Sequence, residues 1–315
     1  MGGEDNMSLV TEFILLGASN HPRVKIAFFL LFLLLYLITL VGNGLLILLT
    51  KVDSRLHTPM YFFLSNLSFL DICFTTSTMP QILVHCFSAR PSISFGRCFA
   101  QMYISMYLGM TECLLLAAMA YDRWVAICNP LRYMLIMNKD VCVAMAAVCW
   151  GSAFLLTIVP SLAMPVRLCG PNIINHFACE ALAVLKLVCS DTRNNQIVIF
   201  VTSSLGLVLP FSFILVTYTR IMAAVMRMHS VDGRAKAFST CGSHLIVVVI
   251  FYGTAMFMYL RPQSKSSSDQ DKIISVFYGS VTPMLNPLIY SLRNKDVKQA
   301  LKKLTGGEEY HITEY

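Results

Sequence analysis

Residues 26–50 read IAFFLLFLLLYLITLVGNGLLILLT, a stretch without one charged side chain. An α-helix rises about 1.5 Å per residue, so roughly 20 apolar residues cross the ~30 Å hydrocarbon core of a bilayer, and this run suffices with room to tilt. It is too long for the apolar region of a cleavable signal peptide and has no small-residue cleavage site behind it. It is therefore expected to stay in the protein as its own insertion signal.

Six further apolar runs follow, near Pro59–Phe87, Cys98–Met119, Val141–Met164, Ile197–Met226, Ala237–Leu260 and Ile273–Leu292. Composition agrees: of 315 residues, 56% are hydrophobic and 13% charged, and the mean hydropathy of +0.65 exceeds what a soluble surface tolerates. The connections are short and polar, without a Gly/Ser-rich linker, a low-complexity tract or an internal period, which excludes two domains and the repeated halves of a transporter. The expected fold is an all-α membrane protein: a tail over 1–25, a seven-transmembrane helix bundle over 26–292, and a tail over 293–315 that includes a short amphipathic C-terminal helix. In that helix Val297, Ala300, Leu301 and Leu304 share one face and Lys295, Lys298, Lys302 and Lys303 lie elsewhere, which suits the membrane surface.

Seven spans put the termini on opposite sides. Most of the 24 Lys and Arg fall on one side if the first tail is outside, the bias expected of cytosolic loops. Asn6-Met7-Ser8 is a glycosylation sequon in that tail, which again places it outside; Asn66-Leu67-Ser68 lies within a span and is read as chance. Of the 11 cysteines, Cys98, Cys169, Cys179 and Cys189 fall at or beyond the outer face, an even number in an oxidising place, with three pairings open. The rest are read as small buried hydrophobes.

The charged residues inside the spans carry the functional reading. MAYDRWVAIC, residues 119–128, sets Asp122 beside Arg123 at the inner end of the third span, where an acid offsets a guanidinium that is expensive to bury alone. By helical rise, Asp71 and Glu112 both sit about 15 to 20 Å above the cytosolic face, so they can share a site. Two facing carboxylates in a low dielectric need a cation or a shared proton between them, and both alternatives stay open. Asn286-Pro287-Leu288-Ile289-Tyr290 places a proline in an apolar helix and implies a kink. His176, Cys179 and Glu180 mimic a metal cluster, but a disulfide sulfur is no thiolate ligand. Ser239, Cys241 and His244 do not form a nucleophile, base and orienting acid, and Gly42-Asn43-Gly44 lacks the lysine of a phosphate loop, so no catalysis is expected.

Four stretches together, LHTPMYFFLSNLSFLD (56–71), MAYDRWVAICNPLRY (119–133), KAFSTCGSHL (236–245) and PMLNPLIYSLRNKDV (283–297), resemble the motifs of vertebrate odorant receptors, a branch of the rhodopsin-like G-protein-coupled receptors. Trp124 departs from the pattern, which has Tyr after Asp-Arg. The resemblance implies disulfides Cys98–Cys179 and Cys169–Cys189, and release of Arg123 from Asp122 so that it packs against a stimulatory heterotrimeric G protein and Tyr218, with Tyr290 swinging inward about Pro287. It implies Na+ at Asp71 and Glu112, near Asn286, as a candidate allosteric ion, and no other cofactor.

Helical phase from Glu112 and Asn286 points Ser105, Leu108 and Gly109, and Ser275, Val276, Gly279 and Thr282, into the bundle. The resemblance adds Met106, Met110, Thr202, Ser203, Gly206, Tyr252, Ala255, Met256 and Tyr259 as ligand contacts. No acid lies in the outer half of any span, so small neutral volatiles are the expected ligands. The expected setting is the plasma membrane, with membrane lipid as a further partner, no nucleic acid, and a cyclic AMP output. A rhodopsin-like receptor for an endogenous small metabolite is the alternative.

Overall fold

A computed structural model describes residues 11–17, 21–163, 172–187, 193–260, 268–293 and 295–304. In chain order the elements are β1 (Glu12–Leu15), α1 (Pro22–Val52), α2 (Pro59–Phe87), β2 (Ser92–Ser94), α3 (Phe95–Cys128), α4 (Tyr133–Ile136), α5 (Lys139–Ala163), β3 (Ile173–Ile174) and α6 (Ala181–Leu185). They continue with α7 (Arg193–Met226), α8 (Val231–Tyr259), α9 (Ser268–Val276), a π-helical turn (Phe277–Val281), α10 (Thr282–Arg293) and α11 (Lys295–Leu304). Among these, 7 helical stretches are long and apolar enough to cross a membrane.

Local chemistry sets the helix ends. α1 and α2 begin at Pro22 and Pro59, each preceded by an extended residue, as a proline in the first turn has no N–H to lose. Ser230 caps α8 by accepting from Gly233 N at 3.1 Å. On α1, Leu30, Leu34, Val41 and Leu48 form an exposed stripe while Phe32, Leu35, Thr39, Asn43 and Leu46 are buried on the other, the pattern of a helix with one side in lipid. α3 runs through the middle, touching α2, α5, α7 and α8.

Three features differ from the sequence expectation. Several helices start ahead of or run past their apolar runs, most of all α3, so that Asp122 and Arg123 lie inside a helix that stops only before Asn129-Pro130. Helical backbone bonds are indifferent to side-chain polarity, so the helix outlasts the hydrophobic signal. The seventh span is not one helix kinked at Pro287: α9 gives way to the π turn ahead of Pro283. Pro283 and Pro287 each lack the hydrogen that their i−4 carbonyl would take, and Asn43 Nδ2 donates to the Pro283 carbonyl at 3.0 Å, replacing the bond Pro287 cannot make. Gly42 makes room for this contact, since a Cβ there would meet the Pro287 ring at 3.0 Å.

The third feature is a small sheet of order β2-β1-β3 over the outer end, β1 antiparallel to β2 and parallel to β3. Phe13, Leu15, Ile93 and Ile174 pack beneath it with Cys98 and Cys179. Strands this short carry no readable alternation.

Candidate functional site

The outer half of the bundle holds two adjoining cavities of about 80 and 60 Å³. Both share Ser105, Met106, Ala181, Tyr259 and Tyr278. Gly109, Met110, Thr202, Ser203 and Ala255 line the inner one, and Val276, Gly279 and Ser275 the outer. Gly109 matters by its missing side chain: a Cβ would stand 2.5 Å from the Tyr278 hydroxyl. Three expected contacts do not line either cavity. Tyr252 is fully buried and donates to the Cys113 carbonyl at 2.7 Å, Gly206 is covered by Met110, and Met256 packs into the main core. Helical spacing gives the inward side of a helix but not how far its neighbour reaches.

Sequence reasoning missed the groups contributed by Tyr278 and by the second outer loop. The Cys98–Cys179 disulfide, with Cα atoms 5.3 Å apart, pins that loop to the start of α3; Gln101 Oε1 also accepts from Cys179 N at 2.8 Å. Asn6, Cys169 and Cys189 lie outside the described residues. The pinned loop places Glu180 in the outer cavity's wall. Its carboxylate caps α6, accepting from Leu182 N at 3.0 Å and Ala183 N at 3.1 Å, and accepts from the Tyr259 hydroxyl at 3.2 Å. Burial pushes this carboxyl up to about 7, despite those donors. His176, buried beside the same cavity, is pushed down to about 4 by burial and stays neutral. The spans lack an acid here, but the cavity does not.

At mid-depth, Asn286 Nδ2 donates to Asp71 Oδ2 at 2.9 Å, and Glu112 lies within electrostatic reach of Asp71 and Asn286. Asp71 Oδ1, Glu112 Oε1 and Asn286 Oδ1 are buried without a hydrogen-bond partner. These are oxygen donors only, and among the described residues no three His, Cys, Asp or Glu gather. The set fits a hard cation such as Na+ and no thiophilic metal.

Toward the inner end, Arg123 and Asp122 form an ion pair at 3.2 Å, their side chains 10% and 1% exposed. Adjacent helix positions diverge by about 100°, so Asp122 Oδ2 makes no well-formed hydrogen bond. The other oxygen accepts from the Tyr133 hydroxyl of α4 at 2.7 Å. Tyr218 lies within electrostatic reach of Arg123, but its hydroxyl is bonded elsewhere. Its hydroxyl lies 2.6 Å from His244 Nδ1, while His244 Nε2 lies 3.1 Å from the Leu116 carbonyl. A carbonyl only accepts, so Nε2 carries the hydrogen and Tyr218 donates to Nδ1. His244 thereby ties α8 to α3 and α7. The Tyr290 hydroxyl has no partner and lies within electrostatic reach of Arg123 on one side and Asp71 and Glu112 on the other.

Comparison with known proteins matches this architecture. The sequence model of the olfactory receptor family matches residues 32–306. Human olfactory receptor 13H1 is 58% identical over 300 residues, covering 95% of this chain and 97% of that protein. Human olfactory receptor 13D1 is 53% identical, covering 95% and 87%, and human olfactory receptor 2G3 is 51% identical, covering 97% and 99%. Seven membrane-crossing helices in a chain this similar throughout mark a multi-pass membrane receptor, and the family it matches is one of receptors and not of enzymes: the protein belongs to the olfactory receptor family.

Proposed function

We propose that this odorant receptor takes small neutral volatiles into the paired cavities and, when they bind, opens its Arg123 end to a stimulatory heterotrimeric G protein, raising cyclic AMP. The cavities carry this reading: about 80 and 60 Å³, they suit a molecule well below drug size. Met106, Met110 and Ala255 supply an adaptable apolar wall, and Ser105, Thr202, Ser203 and Tyr259 supply neutral hydrogen bonds. Glu180 is half protonated near neutral pH, so it serves a carbonyl or a hydroxyl ligand without fixing a permanent counter-charge. The ligand works by preferring the open state, shifting an equilibrium that exists without it.

In the closed arrangement Asp122 and Tyr133 hold one side of the inner end and His244 holds Tyr218. Opening frees Arg123 and Tyr218 to contact the partner, with Tyr290 moving inward about the π turn and Pro287. Na+ at Asp71, Glu112 and Asn286 would favour the closed state by satisfying their orphaned oxygens. The sequon at Asn6 and the Lys/Arg bias support an extracellular N-terminus and a cytosolic C-terminus at the plasma membrane. The test is a cyclic AMP screen of cells expressing the chain against chemically diverse neutral volatiles, with untransfected cells as control. A response that needs Arg123 supports the reading; calcium release without cyclic AMP, at confirmed surface expression, replaces the stimulatory partner with another.

A further inference from the structure

A groove of about 820 Å³ lies between α1, α2, α4 and α5 on the Arg123 side. Ile47, Phe62, Phe69, Met134 and Val143 form its walls, and Phe69, Met134 and Val143 are exposed. Phe69 stands against Trp150, ring centroids 6.3 Å apart, which stiffens the far wall. Hydrocarbon already surrounds these helices, so an acyl chain enters such a groove without dehydrating polar groups.

Its rim has one sign of charge. Lys51 at the end of α1 and Lys139 at the start of α5 both line the groove, with His57 beside them, and no lining residue is acidic. The nearest acid on the α1 side, Asp53, is engaged by Arg55, whose Nε and Nη2 donate to its two oxygens at 3.0 and 2.7 Å. Asp140, exposed in the first turn of α5, does not line the groove. Of the inner polar groups, Thr50 bonds Ser65 at 2.7 Å and Asn66 accepts from Trp150 at 3.2 Å. What the groove offers is a pair of ammonium groups above an apolar trough.

We infer that this groove is a binding site for a phospholipid with an anionic headgroup, its charged end between Lys51 and Lys139 and one acyl chain along Phe62, Phe69 and Val143. Charge complementarity selects it over a zwitterionic lipid, and the length of the apolar wall selects it over a free phosphate. A sterol, rigid and neutral, would leave both lysines unused. The inner leaflet supplies the lipid under the orientation proposed above; the groove and its cations are independent of that orientation. A lipid seated there bridges α1, α2 and α5 at the end of the bundle where Asp122 and Tyr133 meet.

The test uses the purified full-length receptor in neutral detergent, given equal amounts of phosphatidylserine and phosphatidylcholine with matched chains, and counts retained lipid by native mass spectrometry. Expected is a one-to-one adduct enriched in phosphatidylserine, an enrichment about tenfold weaker in Lys51→Gln/Lys139→Gln, where two surface charges are gone. Val143→Trp, which fills the trough from an exposed position, should lower retention of both lipids. Unchanged thermal midpoints of the variants exclude misfolding. Equal retention of the two lipids by the wild type, or full enrichment in the double lysine variant, overturns the proposal. So does displacement of both by cholesterol, or equal competition by chain-free glycerophosphoserine. None of these readouts involves odorant or G protein, so the result stands apart from the signalling test.

Discussion

The Tyr218 hydroxyl donates to Nδ1 of His244 across 2.6 Å, with the two rings stacked 5.7 Å apart, and so spends the group that would otherwise turn toward Arg123. His244 is buried, and breaking the bond from the Tyr218 side strands its ring nitrogen at roughly 1 to 3 kcal/mol. His244→Phe and Tyr218→Phe should each lower the thermal midpoint of the purified receptor. Their double variant should cost less than the sum of the two, by about 0.5 to 3 kcal/mol of coupling. Strict additivity would mean that the contact contributes nothing to the closed state.

Asp122 is the charge that offsets Arg123 at 3.2 Å. Removing it with Asp122→Asn weakens the closed state by about 1 kcal/mol, which multiplies the open fraction about fivefold. Basal cyclic AMP at matched surface expression should rise accordingly, and Tyr133→Phe should change it less and in the same direction. Arg123→Ala should reach the surface and lose the agonist response. Basal signalling that falls in Asp122→Asn would show that the pair supports the open state instead.

The orphaned oxygens of Asp71, Glu112 and Asn286 define the sodium experiment. Replacing external and internal Na+ by a large organic cation should raise agonist potency in membranes from wild-type cells, because an ion favouring the closed state opposes the agonist reciprocally. Asp71→Asn should abolish that dependence. A wild type indifferent to Na+ would assign a shared proton to the two carboxyls.

Glu180 makes stability depend on pH with a definite sign. Its carboxyl titrates near 4.5 when unfolded and about 7 in the fold. The raised value means that its contribution is complete below the unfolded value and is lost as pH rises through about 7. His176, pushed down to about 4, works oppositely, losing stability as pH falls below its ordinary 6.5. Comparing wild type with Glu180→Gln cancels His176: the difference in thermal midpoint should change steadily from about pH 5 to pH 8, the wild type losing ground as pH rises. A flat difference would place the carboxyl in water.

Tyr259 donates to Glu180 at 3.2 Å, and both face the outer cavity. Tyr259→Phe should therefore weaken oxygenated agonists about threefold to tenfold, one neutral hydrogen bond's worth, while hydrocarbon analogues of the same shape lose little. Equal loss in both series would mean that the hydroxyl only holds the loop.

Seven spans were legible in the residues because hydrophobicity is a local, additive property: a run such as Ile26–Thr50 needs no partner to declare its environment. The Asp122–Arg123 pair and the outward placement of Cys98 and Cys179 were legible for a similar reason, since charge and thiol chemistry act where they stand. Partnership was not. Tyr218 faces His244, Asn43 supplies the hydrogen bond lost at Pro287, Glu180 enters a cavity its own loop roofs, and β1 meets strands far along the chain, because each contact depends on how helices are rotated against one another and where loops return. The same cause moved Tyr252 and Met256 from the cavity wall into the packing. A one-dimensional pattern fixes which side of a helix is inward, whereas what stands opposite is a property of the assembled bundle.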